Sequence, residues 1–239
     1  MIDGLLPGCV SSSESRSQYI AADTLYPEEA AVVRNAVLER RQEFTAVRAC
    51  ARLALAGLGL PPAPVLPGPR GEPLWPAGVV GSMTHCAGYR AAVLARSTDL
   101  RSLGIDAEPH QPLPDGVLEA IALPAERART AVARVENRQV HWDRLLFSAK
   151  ESVYKTWFPL THRPLDFDEA SIVFGRVQGP AAGGSFSVRL LTTDPAVPST
   201  LDGRWLVSDG VVLTAIAVPA VDRAANQAVR HKSPSSLPF

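Results

Sequence analysis

No charge of either sign predominates in this 239-residue chain: 24 lysines and arginines stand against 24 aspartates and glutamates, for a formal net charge of zero. Without a global field the chain attracts neither nucleic acid nor an anionic membrane by charge, so a phosphate site has to come from a local basic cluster. Cysteine is scarce. Cys9, Cys50 and Cys86 are odd in number and widely spaced, which argues against a disulfide framework, and no CxxC pair suggests zinc. No run approaches the roughly 20 apolar residues that span a bilayer. The opening MIDGLLPGCV has no basic segment and no long apolar stretch, and is not expected to be a secretory signal. These absences predict a soluble protein of a reducing, cytoplasmic compartment.

What is present suits one domain or two small halves with a proper core: 46% of the residues are hydrophobic and 20% charged. Residues 11–18 (SSSESRSQ) are polar and expected to be mobile. Pro27, with Glu28 and Glu29 behind it, reads as a helix start. One or two helices then run to about Leu58, where Gly57 and Gly59 supply the stop. Strands are expected around Leu74 to Ser82 and Tyr89 to Arg96, and RSLGID is a further short strand leading into Asp106. A proline-rich loop and a short helix, Val117 to Ile121, follow. From 137 to 158 the residues Trp142, Leu145, Leu146, Ala149, Val153 and Trp157 are spaced for one buried helix face, with Pro159 expected to end it. The segments ASIVFGRV, SFSVRLL, RWLVSDG and VVLTAIAV alternate like strands. The layout is α+β, helices then strands, twice. It divides into an N-terminal half (1–100), a C-terminal half (101–222) and a flexible tail (223–239) without a packed-core pattern.

Asp106 and Glu108 stand two apart on a strand, so both carboxylates leave the same face. Two such carboxylates repel unless a cation sits between them or one is protonated, and hard oxygen donors of this kind suit Mg²⁺. A solvated DxE at a loop start explains the same residues. In FSAKESVYKTW, Lys150 and Tyr154 are i,i+4, as are Glu151 and Lys155, which suggests one polar stripe where a carboxylate joins a metal while two ammonium groups neutralise phosphate. A routine exposed Glu–Lys pair accounts for it equally well.

Arg40, Arg41, Arg48 and Arg52 are phosphate-binding candidates, since a guanidinium holds phosphate through paired hydrogen bonds. At 3.6 residues per turn Arg41, Arg48 and Arg52 cluster and Arg40 sits to one edge, so either Arg40 or Arg41 can belong to the site. Arg70 lies in a stiff Pro/Gly loop (GPRGEP). His85, in GSMTHC, is placed to donate to a phosphate or shuttle a proton. Cys86 beside it reads as a small core residue.

Taken together, RGEPLWP with GSMTHC, then LGIDAEP, then FSAKESVYKTW resemble the motifs of the phosphopantetheinyl transferase superfamily, in order. The likeness covers about residues 26–218. It is to the larger monomeric class (surfactin-synthetase-activating type), and most of all to actinobacterial, mycobacterial-type members through RRQEFTAVRACARLAL and THCAGYRAAV. The resemblance implies a pseudo-symmetric fold with coenzyme A in the cleft between the halves. It implies that Asp106, Glu108 and Glu151, helped by the carbonyl of Ala107, hold Mg²⁺ (or Mn²⁺) on the pyrophosphate. Lys150 and Lys155 would meet phosphates, Lys155 as proton donor to the leaving 3′,5′-ADP. His85, with Thr84 beside it, would bind phosphate from the other side, and Arg40, Arg48 and Arg70 would hold the 3′-phosphate and nucleotide. Glu151 is the candidate base. The implied partners are apo acyl carrier and peptidyl carrier domains of fatty acid, polyketide or nonribosomal peptide synthesis, docking on residues 111–140, with no nucleic acid and no membrane. A coenzyme A sensor and a phosphodiesterase are the rival readings.

Overall fold

In a computed structural model the described residues are 1–16, 25–175, 177 and 182–220; the expected tail therefore lies outside them. Helices α1 (Pro27–Val32) and α2 (Leu38–Gly57) open the chain after a first strand, β1 (Ser11–Ser15). Pro27 takes the first helical position, where its missing N–H costs nothing. Glu29 does more than favour the first turn: it is fully buried, accepts the amides of Tyr26 (3.0 Å) and Val65 (2.8 Å), and pairs with Arg52 at 3.0 Å. One carboxylate thus ties α1 to α2 and to the loop beyond. Helix α2 stops at Gly57, with Gly59 in the left-handed region at φ +70°.

A short hairpin, β2 (Leu66–Pro67) with β3 (Pro73–Leu74), precedes β4 (Val79–Cys86) and β5 (Tyr89–Arg96). The strand expected to begin at Leu74 is thus two separate strands. β1, β5 and β4 form an antiparallel sheet in that order, Ser11 facing Leu94 and Val79 facing Arg96. The expectation of a mobile 11–18 segment is corrected for Ser11–Ser15, which pair with β5 because backbone groups beside an open strand edge find ladder partners whatever the side chains are; residues 17–18 lie outside the described ones. β5 is buried on both faces, Tyr89, Ala91, Val93 and Ala95 in one cluster, and Ala92 and Leu94 with residues of α2.

The second sheet has the order β6-β10-β9-β8-β7, all antiparallel: β6 (Leu100–Pro109), β7 (Ala170–Phe174), β8 (Gly183–Leu190), β9 (Thr200–Ser208) and β10 (Val211–Pro219). Between β6 and β7 come α3 (Val117–Ile121), α4 (Pro124–Glu136) and α5 (Trp142–Thr161). The expected buried face of α5 is borne out: Trp142, Leu145, Leu146, Ala149, Val153 and Trp157 all enter the larger core cluster with Trp205 and Ile216. Each large apolar side chain so buried contributes about 1.5–3 kcal/mol. Two features differ from expectation. Pro159 lies within α5; near the end it removes one intrahelical bond, and the helix closes at His162, whose amide reaches the Phe158 carbonyl at 2.8 Å. Helix α4 has no counterpart in the periodicity, because its buried residues are Glu126 and Thr130 rather than an apolar stripe.

The two sheets meet side by side at β4 and β6 without sharing a ladder. The hydroxyl of Ser82 accepts the amide of Ile105 at 3.1 Å, and that of Thr84 accepts the amide of Ala107 at 3.0 Å. Helix α5 crosses β6 so closely at Gly104 that a Cβ there would stand 2.1 Å from the Ser152 carbonyl oxygen and from Thr156 Oγ1. That close approach brings the α5 motif residues over Asp106.

Candidate active site

Where α2, β4, β6 and α5 converge there is an open cleft of about 760 Å³. Its walls include Arg40, Glu43 and Arg48 from α2, Arg70 and Trp75 from the loop region, and Thr84 and His85 from β4. Asp106 comes from β6, and Glu151, Tyr154 and Lys155 from α5. A smaller pocket of about 230 Å³ adjoins it through Glu151 and Tyr154, and is completed by Lys150, Leu165, Asp166, Phe167 and Ala170.

Asp106 is the centre of the acidic end. It is 4% exposed; its Oδ1 receives Lys155 Nζ at 2.7 Å and the Thr84 hydroxyl at 3.4 Å, while Oδ2 is buried with no hydrogen-bond partner. Burial and the Asp106 charge push the Glu151 carboxyl above its ordinary range, and Lys155 opposes them. Glu108 is raised likewise, by burial and then Asp106, against its hydrogen bond from Arg144. A buried carboxylate oxygen without a donor, among carboxylates that raise one another, is the environment a divalent cation relieves. The residues therefore fit such an ion, although no group of three or more His, Cys, Asp or Glu among the described residues is drawn together at metal-holding distance. Glu108 is held by Arg144 at 2.8 Å, and neither it nor Ala107, which is buried in the strand, lines the cleft.

Lys150 departs from expectation. Its side chain is 1% exposed, and its ammonium pairs with Glu126 at 2.9 Å and donates to the carbonyls of Phe167 and Ala170. Burial pulls it below the ordinary lysine value, opposed by Glu126. The single polar stripe is therefore corrected: Lys150 and Lys155, five residues apart on a helix, project about 140° apart, and Lys150 serves the interior while Lys155 serves the cleft.

At the basic end, Arg40, Glu43, Phe44, Val47 and Arg48 share one side of α2 facing the cleft. Of the two arginines the sequence left open, Arg40 lines the cleft and Arg41 does not, while Arg52 is committed to Glu29. Arg48 stacks on Phe44 (3.2 Å to the ring centre) and donates Nε to the Val65 carbonyl; burial, against the pull of Glu29, lowers it to about 10, so it remains charged near neutrality. His85 Nε2 lies 3.1 Å from Arg40 and 3.3 Å from Glu43. Burial lowers its pKa, opposed by Glu43 and aided by the charges of Arg40, Lys155 and Arg90. Arg70 lies exposed on the rim. Sequence reasoning missed Glu43, Glu126 and Arg144. Arg144 had a signal, since it stands seven residues before Glu151, on the same helix face.

A cleft with arginines at one end and a carboxylate–lysine pair at the other suits a phosphorylated ligand. Comparison with known proteins narrows it. Residues 28–95 match the 4′-phosphopantetheinyl transferase N-terminal domain, and residues 102–203 match the 4′-phosphopantetheinyl transferase superfamily. The chain is 56% identical over 200 residues to the 4′-phosphopantetheinyl transferase Svp of Streptomyces mobaraensis, covering 82% of this chain and 79% of that one. It is 53% identical over 199 residues to 4′-phosphopantetheinyl transferase PptT of Mycobacterium tuberculosis (82% and 86% covered), and 48% over 224 residues to 4′-phosphopantetheinyl transferase Npt of Nocardia iowensis (91% and 99%). The chain belongs to the 4′-phosphopantetheinyl transferase superfamily, alongside its actinobacterial type II members. These are enzymes that transfer the phosphopantetheine arm of coenzyme A to carrier proteins and use a divalent metal ion. Among the described residues no helix is long and apolar enough to cross a membrane.

Proposed function

We propose that the 760 Å³ cleft binds coenzyme A with its 3′-phosphate and nucleotide toward Arg40, Arg48 and Arg70 and its pyrophosphate toward Asp106, His85 and Lys155. The phosphopantetheine arm then passes to a serine of an apo acyl or peptidyl carrier domain. The observation that carries this reading is Asp106, whose one oxygen is held by Lys155 and whose other is buried without a donor beside Glu151. Asp106, Glu151 and the free oxygen of Glu108 would hold the cation, Mg²⁺ or Mn²⁺, both of which take carboxylate donors. When bound, it neutralises charge on the pyrophosphate.

The protein's own groups account for the remaining chemistry. The serine Oγ bonds to the β-phosphorus of coenzyme A as the bond from that phosphorus to the bridging oxygen breaks. Glu151 takes the hydroxyl proton as general base. Lys155 gives a proton to the oxygen leaving with 3′,5′-ADP, and His85 and Thr84 steady the phosphates from the β4 side. The adjoining pocket, with Leu165 and Phe167 in its wall, suits the pantetheine arm.

The carrier docks on residues 111–140, where α4 exposes Val132 and Val135 among arginines that suit acidic carrier helices. The enzyme acts as a cytoplasmic monomer serving polyketide, nonribosomal peptide or fatty acid synthesis, its halves dividing near residue 100. The test is incubation with coenzyme A and Mg²⁺, with and without apo carrier, read by intact carrier mass and by 3′,5′-ADP. Modified carrier, with 3′,5′-ADP appearing only alongside it, is the expected result. Nucleotide released without carrier would mean a phosphodiesterase, and binding without chemistry a sensor.

A further inference from the structure

We propose that Arg144 is the positioning residue of the acidic end, aiming the Glu108 carboxylate toward the cation that Asp106 and Glu151 also face. The proposal rests on the reading of Glu108 as a ligand given above. All three guanidinium nitrogens of Arg144 are engaged: NH1 donates to Glu108 Oε2 at 2.8 Å, Nε to the Gln111 carbonyl at 3.1 Å and NH2 to the Pro112 carbonyl at 2.8 Å. Its side chain is 11% exposed. A guanidinium tied at three points to backbone and side chain cannot swing, so it fixes one oxygen of Glu108 and leaves the other as the atom free to face a cation.

The neighbouring residue strengthens the arrangement. Asp143 accepts the amide of Leu113 at 3.0 Å, so the first turn of α5 grips the loop 111–113 from both sides. Glu108 reaches the Arg144 anchor from β6, and the same helix carries Glu151 two turns further on. One rigid element therefore sets the relation between two of the three carboxylates. The contacts to Gln111 and Pro112 also join the aim of Glu108 to the loop that opens the 111–140 segment.

The experiment measures Mn²⁺ binding to the coenzyme A complex, without carrier, by the paramagnetic resonance of the free ion. It compares wild type, Arg144→Met, Arg144→Lys and Glu108→Gln, and measures 3′,5′-ADP affinity in chelator as the check on the cleft. Arg144→Met is expected to weaken Mn²⁺ binding about tenfold or more with 3′,5′-ADP affinity unchanged. Arg144→Lys, which keeps a cation beside Glu108 but loses the paired carbonyl contacts, should fall between. If Glu108→Gln weakens Mn²⁺ binding and Arg144→Met does not, the positioning role is wrong. Equal loss of Mn²⁺ and 3′,5′-ADP affinity in Arg144→Met would make Arg144 merely structural and overturn it too. If Glu108→Gln itself leaves Mn²⁺ binding unchanged, the ligand reading beneath the proposal fails. Should Arg144→Met not fold, Arg144→Lys decides alone, wild-type Mn²⁺ affinity being the refuting result.

Discussion

Lys155 Nζ lies 2.7 Å from Asp106 Oδ1, an ion pair made across two elements, α5 and β6, that Gly104 allows to approach. It holds an ammonium and a carboxylate of the cleft wall in one fixed relation. With Oδ2 of the same carboxylate left buried and undonated, the pair also determines which oxygen remains for a cation.

Glu151→Gln keeps the volume and removes both the proposed ligand and the proposed base. Transfer should fall at least a hundredfold, the usual range for loss of a positioned base. Because burial and Asp106 already penalise the Glu151 charge, the melting temperature should hold or rise. Activity above a tenth of wild type, measured by carrier modification, contradicts the role.

Arg48→Ala tests the basic end. If Arg48 reads the 3′-phosphate, remote from the reacting phosphorus, KM for coenzyme A should rise more than kcat falls. A charge-assisted contact is worth roughly 1.5–3 kcal/mol, so the rise should be on the order of tenfold to a hundredfold. The comparison substrate is dephospho-coenzyme A, over which wild type should prefer coenzyme A. A mutant that discriminates as well as wild type would hand the phosphate to Arg40 or Arg70.

Lys150 and Lys155 should behave differently. Lys150→Met strands the fully buried Glu126 and should cost about 3–5 kcal/mol of stability, with KM for coenzyme A unchanged in whatever protein folds. Adding Glu126→Leu to it should restore much of the stability. Lys155→Met strands the buried Asp106 and should also cost stability, but unlike Lys150→Met it should abolish transfer in the protein that folds. A raised KM in Lys150→Met without loss of stability would return Lys150 to the phosphates.

Glu14 carries a pH prediction. Burial raises its pKa, but the bonds from the N-terminal ammonium, the Tyr89 hydroxyl and the Ile2 amide outweigh it, so the net shift is downward from the ordinary 4.5. A depressed carboxylate contributes stability above its unfolded pKa, lost as pH falls through the folded one. Glu14→Gln should therefore be less stable than wild type near neutrality, the gap closing as pH drops below about 4.5. A gap that stays constant to pH 2 would remove the linkage.

Much of this was legible in the sequence, for reasons that can be located. The α5 core face was readable because tryptophans and leucines at helical spacing have one way to be buried, and Asp106, Glu151 and Lys155 because a family motif names them. Helix α4 was not, since its inward residues are a glutamate and a threonine. The Lys150 environment was not either: periodicity gives a direction around a helix but not what waits there, and here it was a buried acid from a helix the pattern did not show. Arg40 rather than Arg41 lines the cleft because the path of α2 past β4, not the helical wheel alone, determines which side meets it.

The junction of β4 and β6 is stitched by two hydroxyls, of Ser82 and Thr84, rather than by a shared backbone ladder. A ladder sets strand spacing at one fixed value and moves only in whole-residue steps of register. A hydroxyl stitch has no such quantum. The gap between the β4 and β6 walls of the cleft can therefore be retuned by one small side chain at position 82 or 84, with every strand keeping its register. Positions 82 and 84 are thus the places where the width of the cleft can change without re-registering either sheet.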